Sequence, residues 1–164
     1  TNKFSPQFTS GNGDKFTASN LELAYATGPL QIMAEYFMGQ IENDGTVAGS
    51  ADIEVDGYYV QAGYFLTGES RKYKTDIAAF DKVKPANESG AWEVFARHSQ
   101  MNADTGSNIT LSGGEDASVT TLGVNYYPNS NIKMAVNYVT AETDAPIGGE
   151  DDGNALVARL QFAF

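Results

Sequence analysis

Strict alternation of apolar and polar side chains constrains the fold of this chain more than any other feature. In residues 154–164, Leu156, Leu160 and Phe162 share one parity, and Arg159 and Gln161 share the other. Successive side chains of a β-strand point to opposite faces, so the segment predicts a strand with one apolar and one polar face. Such a strand occurs at the edge of a soluble β-protein and also in an outer-membrane β-barrel, where the apolar face contacts lipid.

Six earlier segments repeat this alternation, and residues that favour turns separate them. Apolar residues at a spacing of two do not form the stripe of an amphipathic helix, and Gly28 and Pro29 break the pattern after the first segment. The sequence therefore predicts an all-β, antiparallel fold of seven strands, at 16–26, 30–42, 55–67, 91–101, 117–127, 132–139 and 154–164.

The lengths of the strands and connections favour a membrane barrel. Strands of about eleven residues exceed the usual soluble strand and match the length that crosses a bilayer at a tilt. Short turns are predicted at one end of the strands and polar loops at the other, as in barrels with short periplasmic turns. One connection, 68–90, is long at the short-turn end. The predicted turns are 28–29 and 128–131, and the predicted loops are 1–15, 43–54, 102–116 and 143–153.

Composition excludes several classes of protein and of site. The chain has no cysteine and one histidine, so disulfides, thiolate metal sites and multi-histidine sites are excluded. A formal charge of −11 argues against binding to a nucleic-acid backbone. No run approaches the 18 or so apolar residues of a membrane helix. Aromatic residues at the short-turn ends of apolar faces predict an interfacial girdle, formed by Tyr25, Trp92, Tyr126 and Phe164.

Several segments together resemble the C-terminal part of the phosphate- and pyrophosphate-selective porins of bacterial outer membranes. They are ELAYATGPLQIMAEY (22–36), GYYVQAGYFLTGESRKYK (57–74), FDKVKP (80–85), GAWEVFARHS (90–99), LGVNYYPNSNIKMAVNYV (122–139) and ALVARLQFAF (155–164). The resemblance implies a 16-stranded, homotrimeric barrel in the outer membrane of a Gram-negative bacterium, with residues 1–164 as the C-terminal part of a single barrel domain. Seven strands would leave two open edges, so we expect the rest of the barrel in a longer polypeptide.

The polar sides of the strands are predicted to line a water-filled lumen. They carry three acidic and three basic residues, a mixture that suits a hydrated pore and selects weakly between ions. The alternative is cross-strand ion pairing, worth about 0–1 kcal/mol for each solvated pair. The resemblance does not carry phosphate selectivity over, because the family's lumen determinants lie in the part that this chain lacks. The predicted lumen-facing residues are Glu22, Gln31, Glu35, Gln61, Glu93, Arg97, Asn125, Lys133, Asn137, Arg159 and Gln161.

Half of the ten basic residues lie in the long connection: Arg71, Lys72, Lys74, Lys82 and Lys84. If this connection folds back into the mouth of the pore, its positive charge attracts anions. The alternative, which the sequence favours, is an ordinary solvated turn whose charges keep it in water.

Acidic residues crowd the predicted loops at the opposite end. Their oxygens could bind divalent cations that bridge lipopolysaccharide, but their spacing fits no defined calcium loop, so solvated loops are favoured and no metal site is predicted. The residues are Asp44, Asp52, Glu54 and Asp56, then Asp104, Glu115 and Asp116, and finally Glu142, Asp144, Glu150, Asp151 and Asp152.

Catalysis has little support in this sequence. His98 and Ser99 are neighbours in a strand and point to opposite faces, so they cannot act together as base and nucleophile. We interpret His98 as a residue at the barrel rim. No glycine-rich phosphate loop opens a helix, and no cofactor or enzymatic activity is predicted.

The sequence thus predicts an outer-membrane porin that passes small hydrophilic solutes, including anions such as phosphate, by passive diffusion. Its expected partners are outer-membrane lipid, lipopolysaccharide and two further copies of itself. The alternative is a soluble or surface-attached β-barrel or sandwich that binds a ligand or a protein partner.

Overall fold

Seven long strands form one antiparallel sheet, in which neighbouring strands also follow one another along the chain. The computed structural model describes residues 13–43, 52–76, 79–104, 116–144 and 151–163. The strands are β1 (Gly13–Thr27), β2 (Leu30–Asn43), β3 (Ile53–Phe65), β4 (Tyr73–Lys74), β5 (Ala79–Phe80), β6 (Ala91–Asp104), β7 (Asp116–Asn129), β8 (Ile132–Asp144) and β9 (Asp151–Phe162).

No helix in the described ranges is long and apolar enough to cross a bilayer.

The predicted all-β antiparallel class and the seven predicted strands are confirmed, but most strand boundaries differ. Residues placed in loops at 13–15, 102–104 and 151–153 belong to strands, because backbone ladder bonds form regardless of side-chain polarity. The third predicted strand ends at Phe65 rather than at Thr67, where the chain turns. Phe164 and the predicted loop residues Asp44, Glu115 and Glu150 lie outside the described residues.

The turn predicted at 28–29 is confirmed, and the turn predicted at 128–131 is shorter, because Pro128 and Asn129 belong to β7. Gly28 and Pro29 join β1 to β2, and Ser130 and Asn131 join β7 to β8. A two-residue turn fixes which residues lie opposite each other, and the register runs without a shift from Thr27↔Leu30 to Lys15↔Glu42.

The two faces of the sheet differ in chemistry and exposure. The apolar face carries Leu23, Tyr64, Val124, Val136 and Leu160, all of which are exposed. Leu156 is 76% exposed and Phe162 is 56% exposed. The opposite side, here called the polar face, holds the buried polar side chains of the sheet. A soluble protein buries its apolar side, so this arrangement is the inverse of a water-soluble sheet.

The long connection from Leu66 to Gly90 lies against the polar face at the short-turn end. Its Val83 packs with Phe65, Ala91 and Tyr127 in the one buried apolar cluster of the described residues. Gly68 (φ +88°) and Gly90 (φ +81°) mark the ends of the connection with a backbone conformation that residues with a Cβ rarely adopt. The predicted solvated turn is therefore only partly correct, because Val83 and Glu69 are buried.

Candidate functional site

All eleven predicted lumen-facing residues lie on the polar face of the sheet. The registers place Gln61 opposite Arg97, Lys133 opposite Gln161, and Glu22 opposite Glu35. Residues directly opposite in a ladder point to the same side, so the alternation read from the sequence is consistent across the sheet. The registers do not test whether this face borders a lumen, which stays a prediction.

The polar face brings one group of these residues into contact near the short-turn end. The Glu93 carboxylate is 2% exposed and accepts hydrogen bonds from Gln31 Nε2, from Asn125 Nδ2 (2.9 Å) and from the Tyr127 hydroxyl (2.7 Å). Three neutral donors therefore surround a buried carboxylate, which without them would be costly to remove from water. Tyr127 is not among the predicted lumen-facing residues, although its parity with Gly123 and Asn125 places it on the polar face.

The charged residues predicted on this face form no ion pair with one another or with another described residue, although cross-strand ion pairing was the alternative to lining a lumen. The two ion pairs found in the described part of the chain are Lys15–Glu42 (3.0 Å) and Lys74–Asp81 (2.9 Å). Arg97 instead places its guanidinium 3.8 Å from the centre of the Tyr59 ring. That geometry is a cation–π contact, which satisfies the cation without cancelling its charge.

The five basic residues of the connection separate into three environments. Arg71 and Lys82 line a cleft of about 240 Å³ together with Tyr127, Lys133 and Gln161. Lys74 is paired with Asp81, and Lys72 and Lys84 are exposed. The prediction treated all five as equivalent, because residue spacing in an irregular segment carries no information about side-chain direction.

Arg71 is held by contacts within the connection and by one contact to the sheet. Its Nε donates to the carbonyl oxygen of Asp81 (3.1 Å), and its guanidinium lies 5.4 Å from the centre of the Phe80 ring. Its Nη1 donates a long hydrogen bond (3.5 Å) to Gln31 Oε1. The guanidinium therefore lies between the folded-back connection and the polar face.

Two carboxylates stabilise the connection. Hydrogen bonds from the Lys74 ammonium and from the Lys82 backbone N–H hold the pKa of the Asp81 carboxyl below its ordinary value. Burial disfavours the charged form of Glu69, but hydrogen bonds from the Thr67 hydroxyl and the Ala86 backbone N–H (3.2 Å) outweigh it, so the Glu69 pKa is also lowered. Thr67 Oγ1 in turn accepts a hydrogen bond from the Trp92 backbone N–H (3.0 Å). This bond joins the start of the connection to the strand that follows its end.

Aromatic residues gather on the apolar face at the short-turn end, as predicted for Tyr25, Trp92 and Tyr126. The rings of Trp92 and Tyr126 stack with centres 4.5 Å apart, and the Tyr126 hydroxyl donates to the carbonyl oxygen of Ser89 (3.0 Å). Tyr126 thus combines an apolar ring with a hydroxyl directed toward the connection, an arrangement that suits a membrane interface.

Two other groups of residues give no sign of chemistry in the described ranges. No three His, Asp or Glu side chains converge there as they would around a metal ion. His98 contacts the Thr120 hydroxyl (3.0 Å) while the Ser99 hydroxyl bonds the carbonyl of Val119, so the two side chains have separate partners.

Comparison with known proteins agrees with this geometry. Residues 3–164 match the sequence model of a family described as phosphate-selective porin O and P. The chain belongs to this porin family. Porin O of Pseudomonas aeruginosa is 43% identical to it over 152 residues, which cover 88% of this chain and 34% of that relative. This porin chain therefore spans about a third of the length of the curated relative that it matches.

Proposed function

We propose that this chain forms part of the wall of a water-filled channel in the outer membrane of a Gram-negative bacterium. The single observation that carries the proposal is the pair of opposite faces: the apolar face is exposed, whereas the buried polar side chains of the sheet, including the Glu93 carboxylate, lie on the polar face. In a membrane barrel the apolar face contacts hydrocarbon and the polar face contacts the water of the channel. Transport is passive diffusion of small hydrophilic solutes, with no chemical step.

The remaining strands of the barrel are proposed to come from the rest of a longer polypeptide. β1 and β9 are the edge strands of the described sheet, and unpaired backbone groups in hydrocarbon are costly. The family membership supports a single barrel domain of 16 strands, of which this chain supplies the last seven, and a homotrimer that contacts outer-membrane lipid and lipopolysaccharide.

The solutes are proposed to include anions such as phosphate. Arg71, Lys82 and Lys133 line one cleft at the short-turn end of the polar face, and none of them is in an ion pair with a described residue. Unneutralised cations in a narrow hydrated passage raise the local concentration of anions. A unit charge about 7 Å away in water contributes roughly 0.6 kcal/mol, which is about a threefold change in that concentration.

The experiment is measurement of the reversal potential of the full-length protein in planar bilayers at low salt. We expect the double variant Arg71→Gln with Lys82→Gln to lower the anion-to-cation permeability ratio about threefold or more, with a smaller effect at high salt. Lys15→Gln is the matched control, because Lys15 is paired with Glu42 at the opposite end of the sheet. Absence of channels in the wild type would contradict the porin proposal, and an unchanged ratio in the double variant would contradict the anion proposal alone.

A further inference from the structure

Glu93 is an unexpected residue to find beside a pathway for anions. Its carboxylate is buried on the polar face, close to the cleft that Arg71 and Lys133 line, and neither ion pair of the described residues includes it. A negative charge in such a wall should by itself reduce the attraction for anions. The contacts of Glu93 point to another role.

The hydrogen bond between Gln31 and Glu93 crosses an intervening strand. Gln31 lies on β2 and Glu93 on β6, and β3 runs between them. Contact is possible because β3 carries Gly63 at this position. A Cβ there would lie 2.7 Å from Gln31 Nε2 and 2.9 Å from Glu93 Oε1, which is closer than real Cβ contacts allow. Gly63 thus provides the space in which the two side chains meet.

This hydrogen bond determines the direction in which the Gln31 amide points. An ionised carboxylate only accepts hydrogen bonds, so Gln31 must present its NH₂ group to Glu93. Its Oε1 is then available to Arg71, whose Nη1 donates to it. Reversing the amide would place two acceptors together at Glu93 and two donors together at Arg71, so the chemistry of the three groups permits one orientation.

We propose that Glu93 is a positioning residue that, through Gln31, holds the Arg71 guanidinium and its connection against the polar face. A negative charge in the wall thereby increases the preference for anions instead of reducing it. This inference rests on the proposed function, and it concerns how the cation of the cleft is placed rather than whether a channel exists. Asn125 and Tyr127 complete the arrangement by occupying the other carboxylate oxygen.

The sharpest variant changes no formal charge. Gln31→Met removes the amide and keeps a side chain of similar length. We expect it to lower the anion-to-cation permeability ratio roughly twofold, which is less than the roughly threefold effect of removing one unit charge altogether. Gly63→Ala should act in the same direction, because its Cβ separates Gln31 from Glu93. Gln40→Met is the matched control: Gln40 lies on the same strand and also donates to a glutamate, Glu54, but away from the connection.

Glu93→Gln distinguishes positioning from simple charge. Positioning predicts a lower anion preference in this variant, whereas a purely electrostatic role predicts a higher one, as we expect for Glu35→Gln, because Glu35 lies opposite Glu22 and Tyr59 in the ladders of the sheet. In the Gln31→Met background, Arg71→Gln should have little further effect. Migration in detergent gels before and after boiling shows whether each variant is folded.

The outcomes separate the two levels of proposal. An unchanged ratio in Gln31→Met, or a raised ratio in folded Glu93→Gln, would overturn the positioning role while leaving the channel and the contribution of Arg71 intact. A ratio that Arg71→Gln does not alter would overturn both the anion role of the cleft and this inference. If Glu93→Gln does not fold, Gln31→Met and Gly63→Ala decide the question, because neither alters the carboxylate.

Discussion

Glycines on the polar face set how closely its side chains pack. At Gly123 a Cβ would collide with the Phe95 ring and lie 2.5 Å from Asn137 Oδ1. Gly123 is paired with Phe95 on one side and with Asn137 on the other, so two larger side chains lean over it from both neighbouring strands. Gly153 lies near the start of β9, and no neighbouring heavy atom lies within 4 Å of the position that an added Cβ would take.

Gly123→Ala is therefore expected to destabilise the sheet by about 1–3 kcal/mol, because the Phe95 ring must move from its position. Gly153→Ala should change stability by no more than about 0.5 kcal/mol. Urea unfolding of the folded protein in detergent measures both. Equal effects of the two substitutions would show that close packing over Gly123 does not contribute to stability.

Among the elements, the connection from Leu66 to Gly90 is the part that departs most from a simple hairpin. Its ends are joined through Thr67, Glu69 and Ala86, and its centre is held by Val83 in the apolar cluster. Such a segment keeps a defined position through local hydrogen bonds rather than through a ladder. Its stability should therefore depend on the ionisation of Glu69.

The lowered pKa of Glu69 makes this dependence on pH testable. A carboxyl whose pKa is lower in the folded state stabilises that state above its ordinary pKa of about 4.3, and the stabilisation disappears as the pH falls through the lowered value. We expect Glu69→Gln to reduce the free energy of unfolding by about 1–2 kcal/mol at neutral pH. At a pH well below 4.3 the variant and the wild type should converge.

Urea unfolding at neutral and at acidic pH gives the comparison. Glu88→Gln is the control, since Glu88 is an exposed glutamate of the same connection. A loss of stability in Glu69→Gln that persists undiminished in acid would mean that its carboxylate charge is not what stabilises the connection.

At the scale of the whole molecule, the exposed apolar face is the property on which the membrane assignment depends. Two valines of β8 allow a direct comparison of the faces: Val136 is on the apolar face and is 50% exposed, and Val139 is on the polar face. Only a hydrocarbon environment makes a charge on the apolar face costly.

Val136→Arg is expected to reduce the stability of the bilayer-inserted protein by about 2–4 kcal/mol, and Val139→Arg by much less. Unfolding from lipid vesicles measures the difference between the two variants. In a soluble protein the exposed Val136 would tolerate arginine within about 0.5 kcal/mol. Similar small effects for both variants would thus favour the soluble alternative.

The sequence by itself determined the class of fold, the strand number and the face on which each side chain lies. Alternation has a period of two, and backbone pairing preserves parity across a sheet, so a residue such as Gln161 could be assigned from its neighbours alone. The alternation does not determine where a strand ends, because the ladder continues into polar residues such as Asp104 and Asp151.

Only the tertiary structure decided where the long connection lies and which residues meet beneath it. Gln31, Gly63, Glu93 and Arg71 come from four separate parts of the chain, and the irregular segment that carries Arg71 has no period from which a direction could be read. Their contact depends on the folding of that segment across a neighbouring strand, and such long-range packing leaves no local pattern in the sequence.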